Sequence, residues 1–283
     1  MAFVAWDQER SRRVEQALRA GLTSRRWLDA KIVAVANRDD LILESETVRG
    51  TNRDGEFSGY EEGLAVLKEE HDSDAWLLVN DRLLDYPLPP LRFLNPGVLA
   101  LAEAHHVVVG PLDRLPAEST LLGYRVGLYC RSNYVLIGRK ALENLGSVTT
   151  VRADHIDSFR QAAGSSLQPL HGLQGFDSSY ADFVTAWLTG TRQPHWYRAR
   201  PLMPEDGDWF WAKLQSILNE HLLGSRLQLQ GELLISPLHA GLLGRMADPA
   251  SAIAELRREP GDAVDFYGNR AARLRLAAAA LLH

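Results

Sequence analysis

The chain has 283 residues, 31 Lys and Arg against 36 Asp and Glu for a net charge of -5, and a single cysteine, Cys130. That length holds one large α/β domain or a core domain with an appendage. No long basic run with interleaved aromatics is present to track a phosphate backbone, so no nucleic-acid partner is expected. One cysteine excludes an intramolecular disulfide framework and a cysteine-rich zinc site. The opening apolar residues Met1 to Trp6 turn charged at Asp7, too short a run for a secretory signal, and nothing approaches the roughly 18 uncharged apolar residues of a spanning helix. The expectation is a soluble, cytoplasmic protein.

Short apolar runs alternate with helical patterns over the first 110 residues, which predicts a mostly parallel sheet covered by helices. Residues 2–6 read as a strand and 8–20 as a helix with Val14, Ala17 and Leu18 on one face. Residues 31–36 form a second strand, apolar enough to be buried on both sides, and 46–48 a short third. A helix over 60–70 turns Leu64 and Leu67 inward, and the strand 74–79 follows, ending at Asn80-Asp81-Arg82. After the proline-rich turn 86–90 come a helix at 97–104 and a strand at 106–109 closed by Gly110-Pro111. Strands at 124–129 and 134–137, a helix at 139–145 and a helical, tryptophan-bearing remainder complete the pattern. There is no internal repeat and no low-complexity linker. Near the C-terminus, 271–282 reads as a packed terminal helix, with peripheral contact to an anionic membrane at the inner face as its second reading, since Arg273 and Arg275 alternate with leucines.

Ligands of open parallel sheets bind outside the carboxyl ends of the strands. Those positions are polar here: Asp7 and Arg10 after the first strand, Asn37 to Asp40 after the second, and Asn80 to Arg82 after the fourth. Before the helix at Tyr60 lies a segment with Gly55, Gly59 and Gly63 at every fourth position. Glycines there let backbone approach a ligand or another element closely, and a helix start favours an anion.

In order and spacing, residues 1–145 resemble the family 2 glycosyltransferases and their relatives with the GT-A fold. Gly55, Gly59, Gly63 and Leu64 match the spacing of the family's glycine segment, Val79 to Arg82 stand in the place of its Asp-x-Asp type motif, and 106–111 are similar to its following strand and Gly-Pro turn. The chain departs from the pattern at Ala36, where the family has an Asp, and in keeping only Asp81 in the acidic motif.

The resemblance implies an α/β, GT-A-like core over residues 1–148 with a mainly helical acceptor-side part over 149–283. It implies transfer of a sugar, with inversion, from a nucleotide-diphosphate donor to a saccharide or lipid-linked saccharide acceptor, in bacterial surface polysaccharide or glycoconjugate synthesis. Donor contacts then fall on Asn37, Asp39, Gly55, Gly59, Asn80, Asp81 and Arg82, with a divalent cation, magnesium or manganese, at Asp81. The alternative is a non-catalytic GT-A-like binding or scaffold domain. An inverting mechanism needs a general base, for which Asp177, Asp157 and Glu220 are the candidates. Asp177 and the Asp154–Asp157 group read equally as helix caps, and Glu220 shares a helix face with Lys213. No Gly-x-Gly-x-x-Gly follows the first strand, and neither a phosphate loop nor a Gly-x-Ser-x-Gly elbow occurs.

Overall fold

A computed structural model of the chain describes residues 1–85, 90–164, 166, 168–193, 195–196, 198–203 and 207–258. Most of the proline-rich turn at 86–90, and all of the C-terminal helix expected at 271–282, lie outside the described residues. Among the described residues, no helix is long and apolar enough to cross a membrane.

In chain order the elements are β1 (Ala2–Ala5), α1 (Gln8–Thr23), β2 (Val33–Ala36), β3 (Glu46–Arg49), α2 (Glu56–Glu70) and β4 (Ala75–Asn80). Two 3-10 turns, Leu83–Asp85 and Pro90–Phe93, lead to α3 (Pro96–Ala104) and β5 (Val107–Val109). Then come β6 (Leu112–Leu121), β7 (Tyr124–Cys130), β8 (Tyr134–Gly138), α4 (Arg139–Leu145), α5 (Ala153–Ala163) and α6 (Ser178–Thr189). The chain continues with α7 (Asp208–Leu229), β9 (Leu233–Ile235), α8 (Pro237–Leu243) and α9 (Pro249–Arg258).

Seven strands form one sheet in the order β3-β2-β1-β4-β8-β5-β9. All neighbours are parallel except β8, which runs antiparallel to both β4 and β5. The fold is thus α/β with a mostly parallel sheet and a largely helical C-terminal part, as the alternation of apolar runs and helical patterns predicts. Residues of the inner strands are buried on both faces, because period-two alternation feeds two separate cores, while edge strand β3 is largely exposed. Phe3, Ala5, Ala34 and Val79 pack under α1, α3 and α8. Ala2, Val4, Val33, Val35 and Leu78 pack under α2, α4 and the second half of α7.

Three features differ from the sequence reading. First, α2 begins at Glu56 rather than at Tyr60, so the glycine segment is helix rather than loop. Its glycines, four apart, share one helix face and bring α2 onto the sheet: a Cβ at Gly59 would stand 2.9 Å from Val4 Cγ2, and one at Gly63 2.9 Å from Ala2 Cβ. Second, β6 and β7 form a separate two-stranded hairpin, irregular between Arg114 and Ser119, where Pro116 cannot donate to the ladder. The hairpin builds a third core with α5, α6 and the first half of α7 around Tyr180, Phe210, Leu214 and Leu218. Third, β9 comes from beyond residue 148 yet completes the main sheet beside β5. A single helix, α7, therefore spans the hairpin core and the sheet core.

Replacing Gly63 with Val is expected to lower folding stability by about 1–3 kcal/mol, the usual cost of overpacking a close-packed contact. The check is the midpoint of urea denaturation; an unchanged midpoint would mean that α2 can lift from β1 at no cost.

Candidate functional site

The carboxyl ends of β1, β2 and β4 share one edge of the sheet, and antiparallel β8 brings its amino end, after the turn at 131–133, to the same edge. From β1 the chain goes to β2 and β3 on one side, and α2 then carries it back to β4 on the other. The gap between β1 and β4 is therefore a topological switch point, where side chains from both directions converge.

At this gap the Asp7 backbone N–H donates to Asp81 Oδ2 at 3.0 Å, while the Asp7 side chain caps α1 by accepting from the Arg10 N–H at 2.9 Å. The positive end of α1 thus opens on the crevice. Asp81 is buried, and desolvation raises its pKa above the usual carboxylate value, against the opposing pull of the Asp7 amide and the Arg10 charge. Arg82 Nε donates to Asp85 Oδ2 at 2.7 Å, and Arg10 lies 3.9 Å from the same carboxylate. Arg82 is partly exposed at the mouth.

A second group lies beside the first and ties three elements together. Asn80 Nδ2 donates to Glu56 Oε2 at 2.8 Å, and Asn80 Oδ1 accepts the Arg82 N–H at 3.0 Å. Ser132, in the turn before β8, donates its hydroxyl to Glu56 Oε1 at 2.5 Å and its backbone N–H to Glu220 Oε1 at 2.6 Å; its Oγ is also 3.0 Å from that Glu220 oxygen. Tyr60 O–H donates to the Ser132 carbonyl at 2.6 Å. One hydroxyl proton cannot serve two carboxylates, and the shorter contact gives it to Glu56 while Glu220 keeps the Ser132 N–H. Burial, and then the nearby Glu56 charge, raises the Glu220 pKa, with Lys213 and the Ser132 donors opposing.

The other expected site residues divide. Asn37 follows β2 at the same edge, and both of its side-chain polar atoms are buried without a hydrogen-bond partner. They lie against Gly50, where any side chain would strike the amide. Asp39 is exposed and ion-paired with Arg49. Gly55 has φ +63 and a Cβ there would stand 3.1 Å from Ser216 Oγ, so it lets α2 meet α7 at the crevice. Gly59 is buried against Val4 and turns no surface to a ligand, because its place on the helix face serves packing.

Of the three base candidates, only Glu220 reaches this cluster. Asp177 is the N-cap of α6, accepting from the Ser179 N–H at 2.8 Å and its hydroxyl at 2.7 Å, bonds that hold its carboxyl below the usual range. A carboxylate so engaged at a helix start is a poor base, and its neighbours belong to the hairpin. Asp157 sits on the exposed face of α5. Sequence reasoning missed Glu56 and Ser132. A Glu opening a helix after a positive-φ glycine was the available signal for the first, and the second had none.

Among the described residues, no three His, Cys, Asp or Glu side chains are grouped to cage a metal ion. Asp81 can offer one carboxylate, so a cation held there would take its remaining oxygens from a bound diphosphate and water, as magnesium does in phosphate sites.

Glu220 with a raised pKa adds stability that is complete below its unfolded pKa and is lost as pH rises through its folded value. Glu220→Gln, which cannot ionise, should therefore gain on the wild type in denaturation midpoint as pH climbs from about 4. A gap independent of pH would show that Glu220 does not titrate abnormally. Compared with models of protein families, with curated proteins and with solved structures, the chain gives no match.

Proposed function

We propose that the crevice binds a nucleotide-diphosphate sugar and transfers the sugar to a saccharide acceptor, as a divergent GT-A type glycosyltransferase. The observation carrying this reading is the clustering of Asn80, Asp81 and Arg82 at the switch point with Glu220 beside them, Asn37 lying on the same edge of the sheet after β2. The Asn37 amide at the end of β2 lacks a protein partner but is buried against Gly50, so it reaches the donor and acceptor edge of a nucleobase only when the chain at Gly50 moves aside. The start of α1 and the Arg82 guanidinium supply positive potential for the diphosphate. A cation, when bound at Asp81, would neutralise charge on the departing diphosphate.

Glu220 is the general base in this reading. The acceptor hydroxyl oxygen forms its bond to the anomeric carbon as the bond from that carbon to the diphosphate oxygen breaks, and the hydroxyl proton passes to Glu220. Burial helps here, because a carboxylate with a raised pKa is a better base near neutral pH. A second reading, a GT-A-like binding domain without transfer, is supported by the single carboxylate left in the acidic motif and by the lock that Glu56 places on Asn80.

Thermal unfolding with millimolar uridine, guanosine, thymidine and cytidine diphosphate sugars tests the reading. One of them should raise Tm, since a ligand at 100 times its Kd adds about 2.7 kcal/mol. Asn37→Ala should cut that affinity several-fold, and Asp81→Ala should abolish transfer while leaving the protein folded. If a cation is required, excess chelator stops transfer; if Arg82 provides the counter-charge, chelator leaves activity and Arg82→Ala removes most of it. No shift with any donor would sink the assignment, and a shift without transfer would select the binding domain.

A further inference from the structure

Helix α7 is buried over most of its circumference. Between 208 and 220 only six positions reach solvent: Asp208, Trp209, Ala212, Lys213, Ser216 and Glu220. Four of them, Trp209, Lys213, Ser216 and Glu220, are spaced four, three and four apart and so form one straight strip along the helix. The strip ends at the site already described, since Ser216 faces Gly55 at the start of α2 and Glu220 accepts from Ser132.

Its other end is aromatic. Trp209 stacks on Trp196 with ring centroids 6.2 Å apart and planes 20° apart, and Trp196 stacks on Trp187 of α6 at 6.3 Å and 24°. The Trp196 N–H donates to the Trp187 carbonyl at 2.9 Å, which fixes this run against α6. All three indoles are partly exposed. Lys213 Nζ lies 5.9 Å from the Trp196 ring centre, and its charge reaches Glu220. Arg200 Cζ lies 4.9 Å from the Trp209 ring centre, so the strip passes from indoles and a guanidinium through an ammonium and a hydroxyl to a half-buried carboxylate.

We propose that this strip is the acceptor subsite, on which a short oligosaccharide lies with one sugar against the Trp209 and Arg200 end and its terminal hydroxyl at Glu220. From Trp209 to Glu220 the helix rises roughly 16 Å, the reach of a short chain of sugars rather than of one ring. Sugars present apolar C–H faces to aromatic rings and ring hydroxyls to donors and acceptors, and both chemistries alternate along the strip. This inference rests on the transferase reading for the role of Glu220, but binding of saccharide to the strip does not require a donor.

The test uses the full chain and a panel of neutral and uronate-containing trisaccharides, followed by heteronuclear NMR of the indole N–H signals and by tryptophan fluorescence. At least one trisaccharide should perturb the Trp209 signal without donor present. Trp209→Ala and Lys213→Ser should each weaken that binding about tenfold, and in a transfer assay raise acceptor KM about tenfold with donor KM unchanged. Trp209→Phe, which keeps a flat ring, should recover most of the loss, separating a stacking role from a folding defect. Trisaccharide binding with no transfer from any donor would keep the platform and remove the transferase reading. Transfer with acceptor KM unmoved in both Trp209→Ala and Lys213→Ser would overturn the platform alone. No perturbation by any trisaccharide would overturn it as well.

Discussion

Ser132 is the point at which three parts of the chain are held to one another, and the crevice depends on it. Its hydroxyl engages α2 through Glu56, its N–H engages α7 through Glu220, and its carbonyl accepts from Tyr60. Ser132 can do this only because β8 runs against the other strands: an antiparallel strand starts where its parallel neighbour ends, so the turn before β8 falls at the carboxyl edge of β4. A parallel strand in that position would have placed its leading turn at the opposite edge.

The same network sets the local electrostatics. Asp7, Glu56, Asp81 and Glu220 bring four carboxyl groups near a gap in which an anionic ligand is proposed to sit. Four full charges there would repel a diphosphate. Burial raises the pKa of Asp81 and of Glu220, while Glu56 accepts hydrogen bonds from both Ser132 and Asn80. The start of α1 and the Arg10 charge offset part of that negative charge.

Legibility of this structure in the sequence follows the range of the physics involved. β1, β2 and β4 announced themselves because burial on both faces demands unbroken apolar runs, and polar residues directly after them marked the ligand edge. β9 did not, since three apolar residues after a long helix look like more helix until β5 is there to pair with them. The glycines four apart have two explanations in sequence, close approach to a ligand or close approach to the sheet; Val4 and Ala2 decide for the sheet at Gly59 and Gly63, while Gly55 remains at the crevice. Asp157, in the titratable group 154–157, and Asp177, after the turn at Gly175, read from sequence as bases or as helix caps alike; Asp177 caps α6 through Ser179 and Asp157 is exposed on α5. Glu220 was marked only by its helical spacing from Lys213, and its importance arises from residues 88 and 164 positions earlier in the chain, which no local pattern encodes.

The long-range contacts also explain why α7 has the composition it does. A helix that closes two cores must be apolar on most of its circumference, and α7 buries Phe210, Leu214 and Leu218 in one core and Leu223 and Leu227 in the other. Beyond Glu220 the strip closes, because His221, Leu222 and Leu223 are buried and Tyr180 bonds His221 at 2.7 Å. Asn219 and Gln215 turn into the protein to satisfy the backbone at Thr150 and Val151 and the carboxylate of Asp54, which in turn accepts the Ala153 N–H at the start of α5. Polar residues on the buried face of α7 are thus matched to particular partners, and within 209–220 the remaining polar side chains, Lys213, Ser216 and Glu220, lie on the open strip. Packing alone would have been served there by leucine or alanine; the strip instead carries an indole, an ammonium, a hydroxyl and a carboxyl in line with the crevice.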